Sequence, residues 1–172
     1  MNVPGSLAER PHYLRFLPDF LFRQDEPPLS YILKGWLLAL LPSLALSALA
    51  GLVASPTAEI PDIPVEGSSS LLLLIVVGPL LETLILLPMV LGFTRLLGAG
   101  PAVLLCALLW AIGHSLAAPI WGLVVWWPFL LFSVAILTWR ERGLLPTVAV
   151  VTTIHGLQNA TAGMLLLVQG QV

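Results

Sequence analysis

Five apolar segments, each close to the length of a bilayer-spanning helix, occupy most of this chain: about 31–54, 70–92, 101–118, 121–139 and 144–168. A transmembrane helix needs about 20 apolar residues, and a lone strand in lipid leaves its backbone polar groups unpaired. The expectation is an all-α fold, a polytopic transmembrane helical bundle of about five spans. Only 9% of the residues are charged, against about 25% in a soluble domain, which excludes a water-soluble globule. Seven Lys and Arg against nine Asp and Glu give no basic face, so nucleic acid is not an expected partner.

The few charges divide the chain. Residues 1–29 read as a cytoplasmic or interfacial N-terminal segment and 30–172 as the transmembrane helical domain. Arg10, Arg15, Arg23 and Lys34 precede or open the first span, Arg95 follows the second, and Arg140 and Arg142 follow the fourth. The 55–69 linker carries Glu59, Asp62 and Glu66 but no Lys or Arg, and reads as an external loop. With a cytoplasmic N-terminus every basic residue falls on the cytoplasmic side. The expected location is therefore the plasma (inner) membrane. The stretch 11–24 mixes Tyr13, Leu14, Phe16 and Leu17 with arginines and prolines. It reads either as a short interfacial helix or as a disordered lead-in. Pro79, Pro88 and Pro119 are expected to tilt or interrupt the second and third spans. Cys106 reads as a small packed hydrophobe. Neither a cleaved signal peptide nor a CaaX prenylation box is expected.

Against this background Glu82, His114, His155 and Asn159 stand out. Each lies within an apolar segment, where an acidic group costs about 2.5–3.5 kcal/mol on an insertion scale and usually has a function. Trp110 and His114 are i, i+4 and share a helix face, as do His155 and Asn159. Two chemistries use such a set. A carboxylate and an imidazole polarise a water while an imidazole and an amide donate to the oxyanion, hydrolysing an amide without metal. Alternatively Glu82, His114 and His155 hold zinc with an open water position. The metal version ranks second, because no single helix supplies two ligands and there is no HExxH. A proton relay in a small transporter is a reading from another class. The sequon Asn159-Ala160-Thr161 sits inside a span and is read as chance.

These positions resemble the CPBP family (CAAX proteases and bacteriocin-processing enzymes, also called Abi), which are intramembrane endopeptidases. The family motif Pro-x-x-Glu-Glu-x-x-x-Arg is matched by Pro79-Leu80-Leu81-Glu82 through its first glutamate. Phe-x-x-x-His is matched by Trp110 and His114, with Trp for Phe, and His-x-x-x-Asn by His155 and Asn159. Arg140-Glu141-Arg142-Gly143 is similar to the basic stretch and glycine that commonly precede the last motif. The likeness covers roughly 71–167. It implies that Glu82 and His114 activate water and that His155 and Asn159 stabilise the oxyanion. The implied substrate is a membrane-associated protein or lipidated peptide, and the implied cofactor is none, with zinc as the alternative. Thr83 stands where the family has its second glutamate, and Leu87 where it has arginine. Losing both together leaves neither charge unpaired. It also keeps open a non-catalytic member of the fold that binds a partner or lipidated peptide.

Overall fold

The computed structural model describes residues 11–53 and 67–168, and these are helical with short connections. The helices are α1 (Pro28–Val53), α2 (Gly67–Leu72), α3 (Gly78–Leu97), α4 (Ala99–Ala117), α5 (Trp121–Trp139) and α6 (Leu144–Val168). A π turn, Leu73–Val77, joins α2 to α3, so the second apolar segment is one long interrupted helix. Glycines set two of the boundaries. Gly98 (φ +84°) ends α3, and Gly143 (φ +108°) separates the 3₁₀ turn Arg140–Arg142 from α6. Both conformations disfavour a side chain with a Cβ.

Among the described residues, four helices are long and apolar enough to cross a membrane: Pro28–Leu52, Ser70–Leu97, Ala99–Ala117 and Trp121–Arg142. The chain is therefore an all-α helical bundle of an integral membrane protein. The expected fifth span exists as the 25-residue α6 but is not among these four. It carries His155, Gln158 and Asn159 in mid-helix, and His155 is buried in the bundle. The interior is organised around α5. Of its span 67% is buried, against 17–33% for the others. Every residue from 128 to 139 is buried, so α5 is the central helix and α1, α3, α4 and α6 pack around it. The outer helices expose leucines such as Leu41, Leu81, Leu108 and Leu116, as a lipid-facing surface requires.

Prolines inside helices leave a carbonyl four residues earlier without a donor. Pro42 does this to Leu38, whose carbonyl accepts the Trp127 indole N–H of α5 at 2.8 Å. Pro128 does it to Val124, whose carbonyl accepts the Ser43 hydroxyl of α1 at 3.3 Å. The two breaks are thus stitched reciprocally, each helix supplying the donor the other lacks.

The 11–24 stretch is neither a continuous interfacial helix nor an undocked lead-in. Pro11 and Pro18 open two separate 3₁₀ turns, His12–Leu14 and Asp19–Phe22. Leu14, Leu17 and Leu21 turn inward and join the same core as the transmembrane helices. The Leu21 carbonyl accepts from both Tyr31 (3.0 Å) and Thr138 (2.7 Å), tying this strap to α1 and the end of α5. Arg142 donates to the Gln24 and Glu26 carbonyls and lies over the Trp139 ring at 4.3 Å. Arg15, Arg23, Lys34, Arg95, Arg140 and Arg142 all fall at this end of the bundle.

Glu26 is buried at the same end, where Lys34 and Ser30 both donate to its Oε1. The Lys34 and Ser30 hydrogen bonds hold its carboxyl below the ordinary glutamate range. A carboxyl depressed in the folded state stabilises above its unfolded pKa, and that contribution is lost as pH falls through the folded value. The thermal midpoint in detergent should therefore fall on acidification from about pH 6 to about pH 3. Glu26→Gln should flatten that slope. An unchanged slope would show that the strap's ion pair does not couple to folding.

Candidate functional site

Two of the four polar residues singled out in the sequence, His114 and His155, lie against one aromatic side chain of the central helix. Phe129 of α5 has its ring centroid 5.2 Å from Trp110, 5.6 Å from His114 and 5.4 Å from His155. α3 brings in Glu82, α4 brings in Trp110 and His114 one turn apart, and α6 brings in His155. Two of the candidate residues converge on Trp110. Its indole N–H donates to Glu82 Oε2 at 3.0 Å. Its backbone carbonyl lies 2.9 Å from His114 Nδ1. A carbonyl only accepts, so Nδ1 is the donor in this contact. One residue therefore orients both the carboxylate and the imidazole.

His114 also meets Trp121 edge-on at 4.9 Å, just across the α4–α5 turn. His155 is the deepest of the set, 5% exposed, tilted against Phe132 at 4.8 Å, with Nδ1 buried and without a hydrogen-bond partner. Glu82 and His114 are half-buried. Asn159, one turn beyond His155, faces the π turn instead. Its Nδ2 donates to the Leu74 carbonyl at 3.0 Å. This contact gives Asn159 a place in the fold beside the role that the resemblance implies. Among the described residues, no three His, Cys, Asp or Glu side chains are grouped as a metal site, and that includes the set Glu82, His114 and His155.

Two features of the site were not legible in advance. Phe129 lies in an unbroken apolar run, where nothing distinguishes it from its neighbours. Trp110 was visible as the aromatic four residues before His114, but its bond to another helix was not. The groove of about 400 Å³ between α4 and α5 lies beside the site, lined by Leu104, Leu108, Ala111, Ser115, Gly122 and Trp126.

The Trp110 contact makes a sharp prediction. Trp110→Phe keeps an aromatic ring at this position and deletes the N–H together with part of the indole. Losing a hydrogen bond to a carboxylate costs about 1.5 kcal/mol or more, so activity should fall about 10-fold and the thermal midpoint by roughly 3–6 °C. Cleavage rates and detergent melts of the same preparations would check this. An unaltered rate would remove Trp110 from the site.

Fold and side chains together define a helical membrane protein with a polar cluster enclosed by α3, α4, α5 and α6. The chain matches no family model, and no curated protein or solved structure is significantly similar to it.

Proposed function

We propose that the protein is an intramembrane endopeptidase of the CPBP type, hydrolysing a peptide bond of a membrane-associated protein or lipidated peptide. The observation that carries this reading is the convergence of Glu82 and His114 on Trp110, with His155 against the same Phe129 ring that His114 meets. Glu82 would take a proton from the attacking water and deliver it to the departing amine nitrogen as the C–N bond breaks, while His114 Nε2 accepts a hydrogen bond from that water and helps to activate it. His155 would donate to the oxyanion as the tetrahedral intermediate forms. No metal enters these steps.

The cluster lies away from the basic end of the bundle. His114 is three residues from the end of α4, about 5 Å, and Glu82 is 13 residues from Arg95, about 20 Å along the helix. With the basic end cytoplasmic, water reaches the site from the opposite side. A non-catalytic, peptide-binding member of the same fold is the second reading. Thr83 favours it: its hydroxyl is buried and has no partner among the described residues, where the resemblance implies a glutamate.

Mapping of protein termini in the host separates the two readings. Three strains are compared: a deletion, the deletion restored with wild type, and the deletion restored with Glu82→Ala at equal membrane level. Termini present only with wild type support the protease. Identical termini with wild type and Glu82→Ala would leave the binding reading.

A further inference from the structure

Asn159 touches a part of the chain that Pro79 has made unusual. Proline has no N–H, so a helix running through position 79 must leave one upstream carbonyl unpaired. Which carbonyl depends on register. In an α-helix it is that of Ile75, and in a π turn that of Leu74. Here the π register is adopted: the Gly78 N–H bonds the Leu73 carbonyl, five residues back. The next donor along that ladder would be residue 79. The carbonyl it orphans is thus Leu74, the one to which Asn159 Nδ2 donates at 3.0 Å.

α6 is shaped for this approach. A Cβ built on Gly156 would lie 2.6 Å from the Ile75 carbonyl, and one on Gly163 3.0 Å from a Leu74 methyl. Gly156 and Gly163 flank Asn159, so the backbone of α6 comes close to the π turn and the amide fills the space between. The same arrangement, a proline-freed carbonyl capped from a neighbouring helix, occurs at Pro42 with Trp127 and at Pro128 with Ser43. Its third occurrence falls within the site.

We infer that Asn159 is a positioning residue: by capping the carbonyl that Pro79 orphans, it fixes the π turn and with it the setting of Glu82 relative to His155. One residue more or less in a helix rotates the downstream segment by about 100°. The register at Leu73–Val77 therefore decides how the α2 side of the segment and the α3 side bearing Glu82 can both pack on α6. Asn159 acts through Leu74 and so stands apart from the reacting atoms. The catalytic part of this inference rests on the endopeptidase reading, while the structural part does not.

The test is a double-mutant cycle of Asn159→Leu and Pro79→Ala in the full-length protein, read by cleavage rate and by thermal midpoint in detergent. Asn159→Leu removes the donor and should lower the rate by about 10-fold or more, together with the midpoint. Pro79→Ala supplies a backbone N–H at 79, so the double variant should recover much of both losses. Strictly additive effects overturn the inference. So does a rate loss in Asn159→Leu with an unchanged midpoint and no rescue, which would instead assign Asn159 to the oxyanion. If Asn159→Leu alone fails to accumulate, accumulation in the Pro79→Ala background supports the inference and failure in both backgrounds overturns it. Coupled midpoints in a protein without proteolytic activity would retain the positioning contact and discard the endopeptidase reading.

Discussion

Glu82→Gln is expected to reduce cleavage by about 10²–10⁴-fold, the span usually lost with a general base, while leaving the bundle intact. The argument is one of near-identical shape. Glutamine keeps the length of the side chain, and its carbonyl oxygen still accepts the Trp110 N–H that now reaches Oε2 at 3.0 Å. What it loses is the capacity to take a proton. An alanine at the same position would also strand the half-buried Trp110 donor, and so would mix a catalytic loss with a structural one. The measurement is the initial cleavage rate of the purified protein in liposomes, using a substrate identified from the terminal mapping, alongside a thermal melt. His114→Gln should fall in the same range, since it replaces the imidazole with an amide that cannot act as a base. Residual activity within about threefold of wild type at an unchanged midpoint would sink the mechanism. Loss of activity with a collapsed midpoint would show that Glu82 is structural.

The parts of this molecule that could be read from sequence are those in which one residue's chemistry is costly in lipid. Glu82, His114 and His155 were conspicuous because each is an ionisable group in an apolar run, and the structure brings both histidines to Phe129 and Glu82 to the neighbouring Trp110. The five helical segments were legible for the complementary reason, an almost complete lack of charge. Features that depend on contact between distant segments were not. The prolines at 42, 79 and 128 announce freed carbonyls, but the donors are Trp127, Asn159 and Ser43, and their pairing exists only once the helices are side by side. The strap misled for a related reason. Leu14, Leu17 and Leu21 have the look of a membrane-facing stripe, yet they join the same buried core as the C-terminal half of α5. Apolarity alone does not distinguish burial in lipid from burial in protein, because lipid tails are as apolar as leucine.

That limit makes the glycines informative, because a missing side chain marks where protein meets protein. Gly122→Val is expected to cause the largest loss of stability among single substitutions in the bundle's walls. Gly122 is buried at the start of α5. A Cβ there would collide with the Ala111 carbonyl and the Ser115 hydroxyl of α4. The hydroxyl can rotate away, but the carbonyl belongs to the helix backbone, so the helices must separate. Overpacking of this kind typically costs about 1–3 kcal/mol, and a β-branched side chain against fixed backbone belongs at the top of that range. In a chain of this size about 3 kcal/mol lowers the thermal midpoint by roughly 6–12 °C. Activity should fall with it, because Trp121, the adjacent residue, packs edge-on against His114. Gly113→Val is the matched control. Gly113 is exposed on α4, and a Cβ there meets nothing within 4 Å, so its midpoint should stay near that of wild type. Equal midpoints for the two variants would mean that α4 and α5 do not pack as closely as Gly122 requires. A fall confined to Gly122→Val would establish that contact independently of any cleavage assay. It would also separate two kinds of inactive protein: Glu82→Gln folded but without its base, and Gly122→Val with the base present and the site pulled apart.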